Sequence, residues 1–86
     1  MPKVEIYTTP MCPFCWRAKK LLDSKNVDYV EINLWTEGAR RQEMIQRADG
    51  RTTVPQIFID GRGIGGSDEL AALEQAGKLD GLLAAG

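Results

Sequence analysis

Cys12-Pro13-Phe14-Cys15 follows a short apolar run, Val4 to Tyr7, and precedes a run with helical periodicity, Arg17 to Lys25. These two cysteines are the only ones in 86 residues, and their spacing places both thiols on one face of a helix's first turn. The N-terminus of a helix carries partial positive charge and free N–H groups, so it stabilises a thiolate. Proline suits the first helical position, where its missing N–H costs nothing. Since the thiolate is the nucleophile of thiol–disulfide exchange, the stretch predicts a redox-active dithiol.

Three ordinary roles for the two cysteines compete with this interpretation. A free cysteine is often a small buried hydrophobe, and a disulfide across two residues closes too small a loop to stabilise a fold much. A zinc site usually takes four ligands, and a chain without histidine would need carboxylates or a partner chain to complete one. A C-x-x-C motif between a strand and a helix favours redox chemistry over all three roles, so no metal site is predicted.

The composition predicts one small globular domain, residues 1–86. The hydrophobic fraction of 43% supports a core, and a chain of this size buries roughly 60–65% of its unfolded surface. The net charge of −1 argues against a nucleic-acid binder. No apolar run approaches the roughly 20 residues that span a bilayer, and the N-terminal stretch has no signal-peptide core. We therefore expect a cytoplasmic protein, where cysteines serve catalysis more often than stability.

Hydrophobic periodicity predicts alternating strands and helices. The predicted strands are 4–7, 29–33, 56–59 and 62–65, and the predicted helices are 13–25, 39–48, 67–76 and 78–83. A strand, a helix and a strand within about thirty residues imply a right-handed crossover between parallel strands, and Asp60-Gly61 implies a hairpin. The order β-α-β-α-β-β-α therefore predicts an α/β fold with a mixed sheet of about four strands flanked by helices.

Local signals also predict where the helices begin, end and pack. Thr36 is a candidate cap for the second helix and Ser67 for the third, whereas Asn26 tolerates the left-handed conformation that ends the first. The positions expected to face inward are Ala18, Leu21, Leu22, Met44, Ile45, Leu70, Leu73 and Ala76.

The order of elements and three motifs together resemble the glutaredoxins, small members of the thioredoxin-fold superfamily. The motifs are Cys12-Pro13-Phe14-Cys15, Thr53-Val54-Pro55 and Gly65-Gly66-Ser67-Asp68, and the resemblance spans nearly the whole chain. The first motif is similar to that of the dithiol class, which usually has tyrosine where Phe14 stands. The resemblance implies a thioredoxin-like fold, a single glutaredoxin domain over 1–86, and reduction of protein disulfides and glutathione mixed disulfides. Glutathione is then a co-substrate, and no cofactor is tightly bound.

The resemblance also implies a role for the residues around the dithiol. Cys12 would be the exposed nucleophile and Cys15 the resolving thiol, an order that their positions at the helix end and one turn inside also favour. Phe14 would form an apolar rim of the site, or else a simple core contact. Trp16 stands four residues after Cys12 and would shield it or pack partly buried.

The other two motifs resemble the glutathione site of the family. The resemblance implies a cis bond before Pro55, and pairing of the extended backbone at Thr53 and Val54 with the cysteine part of glutathione. It also implies that backbone N–H groups at Gly66 and Ser67 hold the γ-glutamyl carboxylate, while Asp68 holds the ammonium. Without the resemblance, Pro55 would simply start a strand, and Ser67 and Asp68 would form a helix cap.

The charges before and after the dithiol depart from the family pattern. Many glutaredoxins carry a lysine shortly before the first cysteine, but residues 8–11 are uncharged here. We expect Arg40 or Arg41 to hold the glycyl carboxylate of glutathione instead, or that carboxylate to be held loosely, since a basic helix face is otherwise solvated. Lys19 would add positive potential on the face of the thiols, or be a solvated surface lysine.

The expected partners are glutathione and disulfide-bearing or glutathionylated proteins, with ribonucleotide reductase as one candidate, and the chain is expected to be a monomer. Two alternatives share the fold. A redoxin that takes electrons from thioredoxin reductase and serves ribonucleotide reductase often has an aromatic C-terminal motif, which residues 80–86 lack. An iron–sulfur cluster carrier would use Cys12 as a ligand, with two chains and two glutathiones. In the family, proline after the first cysteine goes with the redox class.

Overall fold

A mixed sheet lies at the centre of the structure, a computed structural model that describes residues 2–84. Its four strands lie in the order β2-β1-β3-β4. They are β1 (Val4–Thr8), β2 (Tyr29–Asn33), β3 (Gln56–Ile59) and β4 (Arg62–Gly65). β1 pairs with β2 in parallel and with β3 antiparallel, and β3 and β4 form an antiparallel hairpin. The predicted mixed sheet is confirmed.

Helices cover both faces of this sheet. They are α1 (Pro13–Ser24), α2 (Arg41–Arg47), α3 (Ser67–Gln75) and α4 (Leu79–Ala84), and a 3-10 turn (Gly38–Arg40) precedes α2. Asn26 has a φ of 56°, so the predicted left-handed residue after α1 is confirmed. None of the helices within residues 2–84 is long and apolar enough to cross a membrane.

The start of α2 differs from the prediction of one helix over 39–48. The segment splits into the 3-10 turn and a seven-residue α-helix. Thr36 does not cap either of them, because its hydroxyl donates to the carbonyl oxygen of Asn33 at 3.2 Å. Thr36 thus belongs to the turn that follows β2, whereas the sequence predicted that it begins a helix.

Alternation along the strands produces two cores, one on each face of the sheet. The first core, beneath α1, α3 and α4, contains Val4, Ile6, Ala18, Leu22, Ile57, Ile59, Leu70, Leu79 and Leu83. The second, beneath α2, contains Tyr7, Ile32, Leu34, Met44 and Phe58. Leu21, Ile45 and Leu73 pack against these cores partly buried, as predicted. Ala76 was wrongly predicted to face inward: α3 ends at Gln75, and Ala76 is its exposed C-cap.

A charged cluster joins α2 to the sheet. The Arg47 guanidinium donates to both carboxylate oxygens of Glu5, at 2.9 and 3.3 Å, and to the Tyr7 hydroxyl at 2.9 Å. It lies 4.1 Å from the ring centroid of Phe58, and Tyr7 also donates to Glu43. The hydrogen bond from Arg47 lowers the pKa of Glu5, although burial opposes the shift. Arg47 therefore compensates a carboxylate that would otherwise be buried without a partner.

Replacement of Arg47 by methionine should leave the Glu5 carboxylate unpaired, since methionine can still cover Phe58 but carries no charge. We expect the free energy of unfolding at pH 7 to fall by about 2 kcal/mol, less than for a fully buried pair because both side chains are partly exposed. The pKa of Glu5 is held below the ordinary value of 4.5. The stabilisation is therefore present above that pH and is lost as the pH falls through the folded-state pKa.

Urea unfolding at several pH values measures this effect. Arg62→Met is the matched control, because Arg62 is exposed and makes no ion pair within residues 2–84; it should change stability by less than about 0.5 kcal/mol. A difference between Arg47→Met and the parent protein that persisted undiminished at pH 3 would contradict the role given to Glu5.

Candidate active site

The register of the sheet brings the three motifs to the same end of its strands. Tyr7, near the end of β1, pairs with Gln56 at the start of β3, and Ile57 pairs with Gly65 at the end of β4. The loop that leads to Cys12, the loop that precedes β3 and the N-terminus of α3 therefore meet at the same end of the sheet. Motifs separated by forty or more residues along the chain become neighbours for this reason.

Cys12 is the N-cap residue of α1. Its backbone is extended (φ −126°, ψ 102°), and its sulfur accepts a hydrogen bond from the backbone N–H of Cys15 at 3.1 Å. Its carbonyl oxygen accepts the N–H of Trp16 at 3.1 Å. The sulfur thus takes the place that a serine or aspartate oxygen usually has at a helix start. A negative charge on the sulfur is stabilised there by the helix dipole and by an N–H donor.

Cys15 lies one turn inside α1 and is only 1% exposed. Burial, and to a smaller extent the hydrogen bond with Cys12, raise the pKa of its thiol to about 12, although a hydrogen bond with the backbone of Thr9 opposes the shift. Both cysteines are free, and Cys12 is half-buried. The pair therefore consists of one accessible sulfur at a helix end and one protonated, covered thiol.

The loop before β3 lies against Cys12. The Val54–Pro55 peptide bond is cis, as the resemblance implied, and the thiol of Cys12 lies 3.9 Å from the carbonyl oxygen of Val54. The Gln56 side chain donates to the carbonyl oxygen of Thr53 at 3.0 Å and to its hydroxyl at 3.3 Å. Pro55 is buried, whereas Thr53 is exposed. A half-buried main-chain segment thus lies beside the reactive sulfur.

The N-terminus of α3 forms the third wall of the site. Gly66 is the N-cap residue, and its N–H donates to the Glu69 carboxylate at 2.7 Å. Glu69 also pairs with Arg51 at 3.0 Å. The hydrogen bond from Gly66 lowers the pKa of Glu69. Arg51 lowers it further, whereas burial opposes the shift. The expectation that Ser67 or Asp68 caps the helix is therefore wrong, because Glu69 has that role and Ser67 already belongs to the first turn.

Ser67 has a buried hydroxyl without a hydrogen-bond partner among residues 2–84. The residue is 5% exposed and lines a small cavity of about 120 Å³. The other lining residues are Phe14, Arg51, Pro55, Gly66, Asp68 and Glu69. The Ser67 hydroxyl therefore keeps its hydrogen-bonding capacity at this helix N-terminus.

The two glycines before Ser67 lie in a crowded part of the site. Gly65 has a φ of 111°, and a Cβ there would lie 2.5 Å from a Glu69 carboxylate oxygen and 2.9 Å from an Arg51 nitrogen. At Gly66 a Cβ would lie 3.3 Å from the carbonyl oxygen of Pro55. Glycine therefore lets the end of β4 approach both the loop before β3 and the Arg51–Glu69 pair.

The basic residues predicted for the site have different surroundings. Arg40 pairs with Glu43 at 2.8 Å and with Glu37 at 3.6 Å, so its charge is compensated within its own segment. Arg41 is exposed, and its guanidinium donates to the carbonyl oxygen of Thr52 at 3.4 Å, next to the loop before β3.

Lys19 belongs to a separate polar network. Its ammonium pairs with Glu31 on β2 at 2.9 Å, and the Thr8 hydroxyl donates to the same carboxylate at 2.7 Å. Burial acts to raise the pKa of Glu31, but the hydrogen bonds from Thr8 and Lys19 outweigh it and lower the pKa. Lys19 thus neutralises Glu31 and contributes little free positive charge to the thiols.

The aromatic residues of the motif are exposed. Phe14 is 51% exposed and Trp16 60% exposed, so the core contact for Phe14 and the partly buried packing of Trp16 are both wrong. Trp16 lines a shallow cleft together with Cys12, Pro10, Met11 and Pro13. Phe14 contributes to the cavity at α3, which agrees with an apolar rim.

Sequence reasoning missed Arg51 and Glu69. Glu69 stands three residues after Gly66, the spacing of a capping box, and this signal was present in the sequence. Arg51 had no local signal, because its partner is eighteen residues away in the chain. Within the part of the chain that the structure describes, no group of three or more His, Cys, Asp or Glu side chains is arranged to hold a metal ion.

Comparisons with known proteins agree with this geometry. The glutaredoxin family model matches residues 4–64. Glutaredoxin 3 of Escherichia coli strain K12 is 57% identical over 83 residues, which are 96% of this chain and 99% of that protein. The dithiolic glutaredoxin 2-C-Grx1 of Trypanosoma brucei brucei superposes with a TM-score of 0.86 at 43% identity, covering 96% of this chain and 88% of that one. A buckwheat glutaredoxin–glutathione complex superposes with a TM-score of 0.87 at 33% identity, covering 95% and 76%.

The sheet order and the placement of the two cysteines agree with what the resemblance implied for the fold. At this identity over nearly the full length of both proteins, the chain belongs to the glutaredoxin family of thiol–disulfide oxidoreductases.

Proposed function

We propose that the chain is a glutathione-dependent oxidoreductase that reduces protein disulfides and glutathione mixed disulfides, with Cys12 as the nucleophile and Cys15 as the resolving thiol. The observation that carries the proposal is the contrast between the two sulfurs. Cys12 is half-buried at the N-cap of α1 and accepts an N–H at 3.1 Å, whereas Cys15 is buried with a raised pKa. Only the first sulfur combines access with stabilisation of negative charge.

For a glutathionylated protein, the Cys12 thiolate attacks the glutathione sulfur of the mixed disulfide. A bond forms between Cys12 and glutathione as the old S–S bond breaks, and the protein thiolate leaves and takes a proton from solvent. A glutathione thiolate then attacks the enzyme–glutathione disulfide at the glutathione sulfur. Glutathione disulfide leaves, and Cys12 returns as a thiolate. The chain has no histidine to act as a general base. The rate therefore depends on the protonation state of the Cys12 thiol and on how the substrate disulfide is positioned beside it.

For a protein disulfide, Cys12 attacks one sulfur and the other leaves as a thiolate. Cys15 then attacks the Cys12 sulfur of the mixed disulfide, its proton is transferred to solvent or to a leaving thiolate, and the client is released reduced. The resulting Cys12–Cys15 disulfide is reduced by two glutathiones. The high pKa of Cys15 makes it a poor competitor for the first attack, which supports the order of the two steps.

Two walls of the site and one structural neighbour support a glutathione groove. The main-chain segment at the exposed Thr53 and the half-buried Val54 suits pairing with the cysteine part of the tripeptide. The first turn of α3 suits the γ-glutamyl carboxylate, and the Ser67 hydroxyl has no partner among residues 2–84. The Gly66 N–H, which the resemblance assigned to this carboxylate, is instead donated to Glu69. The exposed Asp68 suits the ammonium. The structural neighbour from buckwheat is a complex with glutathione.

The glycyl end of glutathione is assigned to Arg41 rather than to Arg40. Arg41 is exposed and lies beside Thr52, whereas Arg40 is engaged by two carboxylates. Phe14 and Pro55 would supply the apolar surface between the two charged ends. We further propose that the protein acts in the cytoplasm as a monomer, on disulfide-bearing or glutathionylated proteins that include ribonucleotide reductase as a candidate.

Substitution of each cysteine separates the two reactions. Cys15→Ser should keep at least about half of the turnover of a glutathione mixed disulfide, because that route uses Cys12 alone, but it should lose most reduction of a protein disulfide. Cys12→Ser should abolish both reactions. The assay couples glutathione to glutathione reductase and follows NADPH consumption. Full activity of Cys12→Ser would refute the assignment.

The same assay distinguishes the alternative electron donors. Glutathione with its reductase should support turnover, and thioredoxin reductase in its place should not; the opposite result would favour the redoxin. The absorption spectrum after anaerobic purification tests the cluster carrier, since a bound iron–sulfur cluster would give visible absorption bands.

Alkylation should distinguish the two thiols directly. In the reduced, folded protein at pH 7, iodoacetamide should modify Cys12 at least about a hundredfold faster than Cys15, because the raised pKa and the burial of Cys15 deprive it of thiolate and access. Peptide mapping by mass spectrometry measures both rates in one sample. In denaturant the two rates should become similar. Equal rates in the folded protein would contradict the burial of Cys15.

Replacement of Asp68 by asparagine should weaken glutathione binding without affecting the thiols. We expect the KM for glutathione to rise about tenfold, equivalent to about 1.4 kcal/mol, because the ammonium loses a carboxylate partner at an exposed position. Asp28→Asn makes the same charge change at another exposed residue and should leave KM unchanged. An unchanged KM in Asp68→Asn would remove Asp68 from the site.

A further inference from the structure

Exposed apolar side chains surround Cys12. Among residues 2–84, five large hydrophobic residues are exposed, and three of them stand beside this cysteine: Met11 at 86%, Trp16 at 60% and Phe14 at 51%. Met11 and Trp16 line the same shallow cleft as Cys12, while Phe14 lines the cavity at α3. Clustered exposed hydrophobic residues mark surfaces that bind other molecules.

Two cations stand over these aromatic rings. The Lys20 ammonium lies 4.5 Å from the ring centroid of Trp16, and the Arg17 guanidinium lies 5.5 Å from that of Phe14. Cation–π contact of this kind orders a long side chain while its charged end still reaches solvent. We call the surface formed by Met11, Phe14, Trp16, Arg17 and Lys20 the α1 patch.

Neither cation of the α1 patch forms an ion pair within the part of the chain that the structure describes, although Asp23 lines the same cleft as Lys20 and Trp16. Lys19, Lys25, Arg40, Arg47 and Arg51 all pair with carboxylates, but neither Arg17 nor Lys20 does so. The first turn of α1 has no acidic residue, and the nearby Glu31 is already held by Lys19 and Thr8. A protein of net charge −1 thus presents two cations without an ion pair on the helix that carries its reactive sulfur.

We propose that the α1 patch binds the segment of a client protein that carries the reactive cysteine, and that it selects segments with acidic side chains near that cysteine. The inference rests on the proposed function and specifies its protein substrates. An apolar residue next to the client cysteine would pack in the cleft beside Met11 and Trp16, and client carboxylates would pair with Arg17 and Lys20. Complementary charge of this kind raises the association rate and selects partners.

The helix geometry fixes where the acidic residues should stand. Arg17 is five and Lys20 eight residues after Cys12, which corresponds to about 8 and 12 Å along α1 at about 1.5 Å per residue. An extended client segment advances about 3.3 Å per residue. The acidic side chains are therefore expected two to four positions from the client cysteine.

Matched glutathionylated peptides test this selection. One peptide carries leucine next to the cysteine and glutamate at positions two to four from it, and the other carries glutamine in place of each glutamate. At low ionic strength we expect kcat/KM for the glutamate peptide to be about tenfold higher. The advantage should shrink as salt is added, because exposed charges are screened. Cysteine–glutathione disulfide serves as the small substrate that does not reach the patch.

Two double variants locate the effect. Arg17→Gln with Lys20→Gln should remove the preference for the glutamate peptide and leave turnover of cysteine–glutathione disulfide unchanged. Arg62→Gln with Lys78→Gln makes the same charge change at exposed residues that line a cleft between β4, α3 and α4, and should keep the preference. Thermal unfolding verifies that each variant is folded, and the comparison of peptides on the parent protein does not depend on any variant.

The outcomes separate this inference from the proposed function. If the parent protein turns over cysteine–glutathione disulfide but shows equal kcat/KM for the two peptides, the acidic preference is overturned and the proposed function is not. Equal loss of preference in the two double variants would show an effect of net charge and would also overturn it. Failure of the parent protein to turn over cysteine–glutathione disulfide would overturn the proposed function and this inference together.

Discussion

The hydrogen bond from the backbone N–H of Cys15 to the sulfur of Cys12 is the contact on which the site depends. It makes a sulfur atom the cap of α1, so that an N–H group which a helix start leaves unpaired has a partner. It also fixes that sulfur at the positive end of the helix dipole. The same turn of helix that places Cys12 at the surface carries Cys15 into the core. Two cysteines that stand only three positions apart in the chain therefore differ in exposure: Cys12 is half-buried and Cys15 is buried.

The mixed sheet supplies the rest of the site. Because β3 runs antiparallel to β1, the start of β3 lies beside the end of β1, and the segment around Val54 is delivered next to Cys12. Because the β3–β4 hairpin returns the chain, the N-terminus of α3 reaches the same edge. Gly65 and Gly66 permit this approach, since a Cβ at either would meet neighbouring atoms. Strand direction and register thus bring the three motifs to the same end of the sheet.

Some of the basic side chains form ion pairs with carboxylates, and others do not. Arg47 compensates a carboxylate beneath α2, Lys19 compensates Glu31 on β2, and Arg51 compensates the carboxylate that caps α3. These pairs hold elements to one another. The cations that stack on aromatic rings along α1 have no such partner among residues 2–84. Two cations on the helix of the reactive sulfur therefore lack an ion pair, although the protein as a whole is slightly acidic.

The sequence by itself determined the order of elements, the bounds of β2, β3 and β4, the two cysteines at a helix start, and the left-handed residue Asn26. Each of these follows from interactions within a few residues: side-chain alternation, helical spacing and turn chemistry. The tertiary structure decided that Arg51 joins the site, that Lys19 is neutralised by β2, and that Trp16 is exposed. These facts depend on which side chains meet across separate elements, and hydrophobic periodicity carries no information about the partner of a charge.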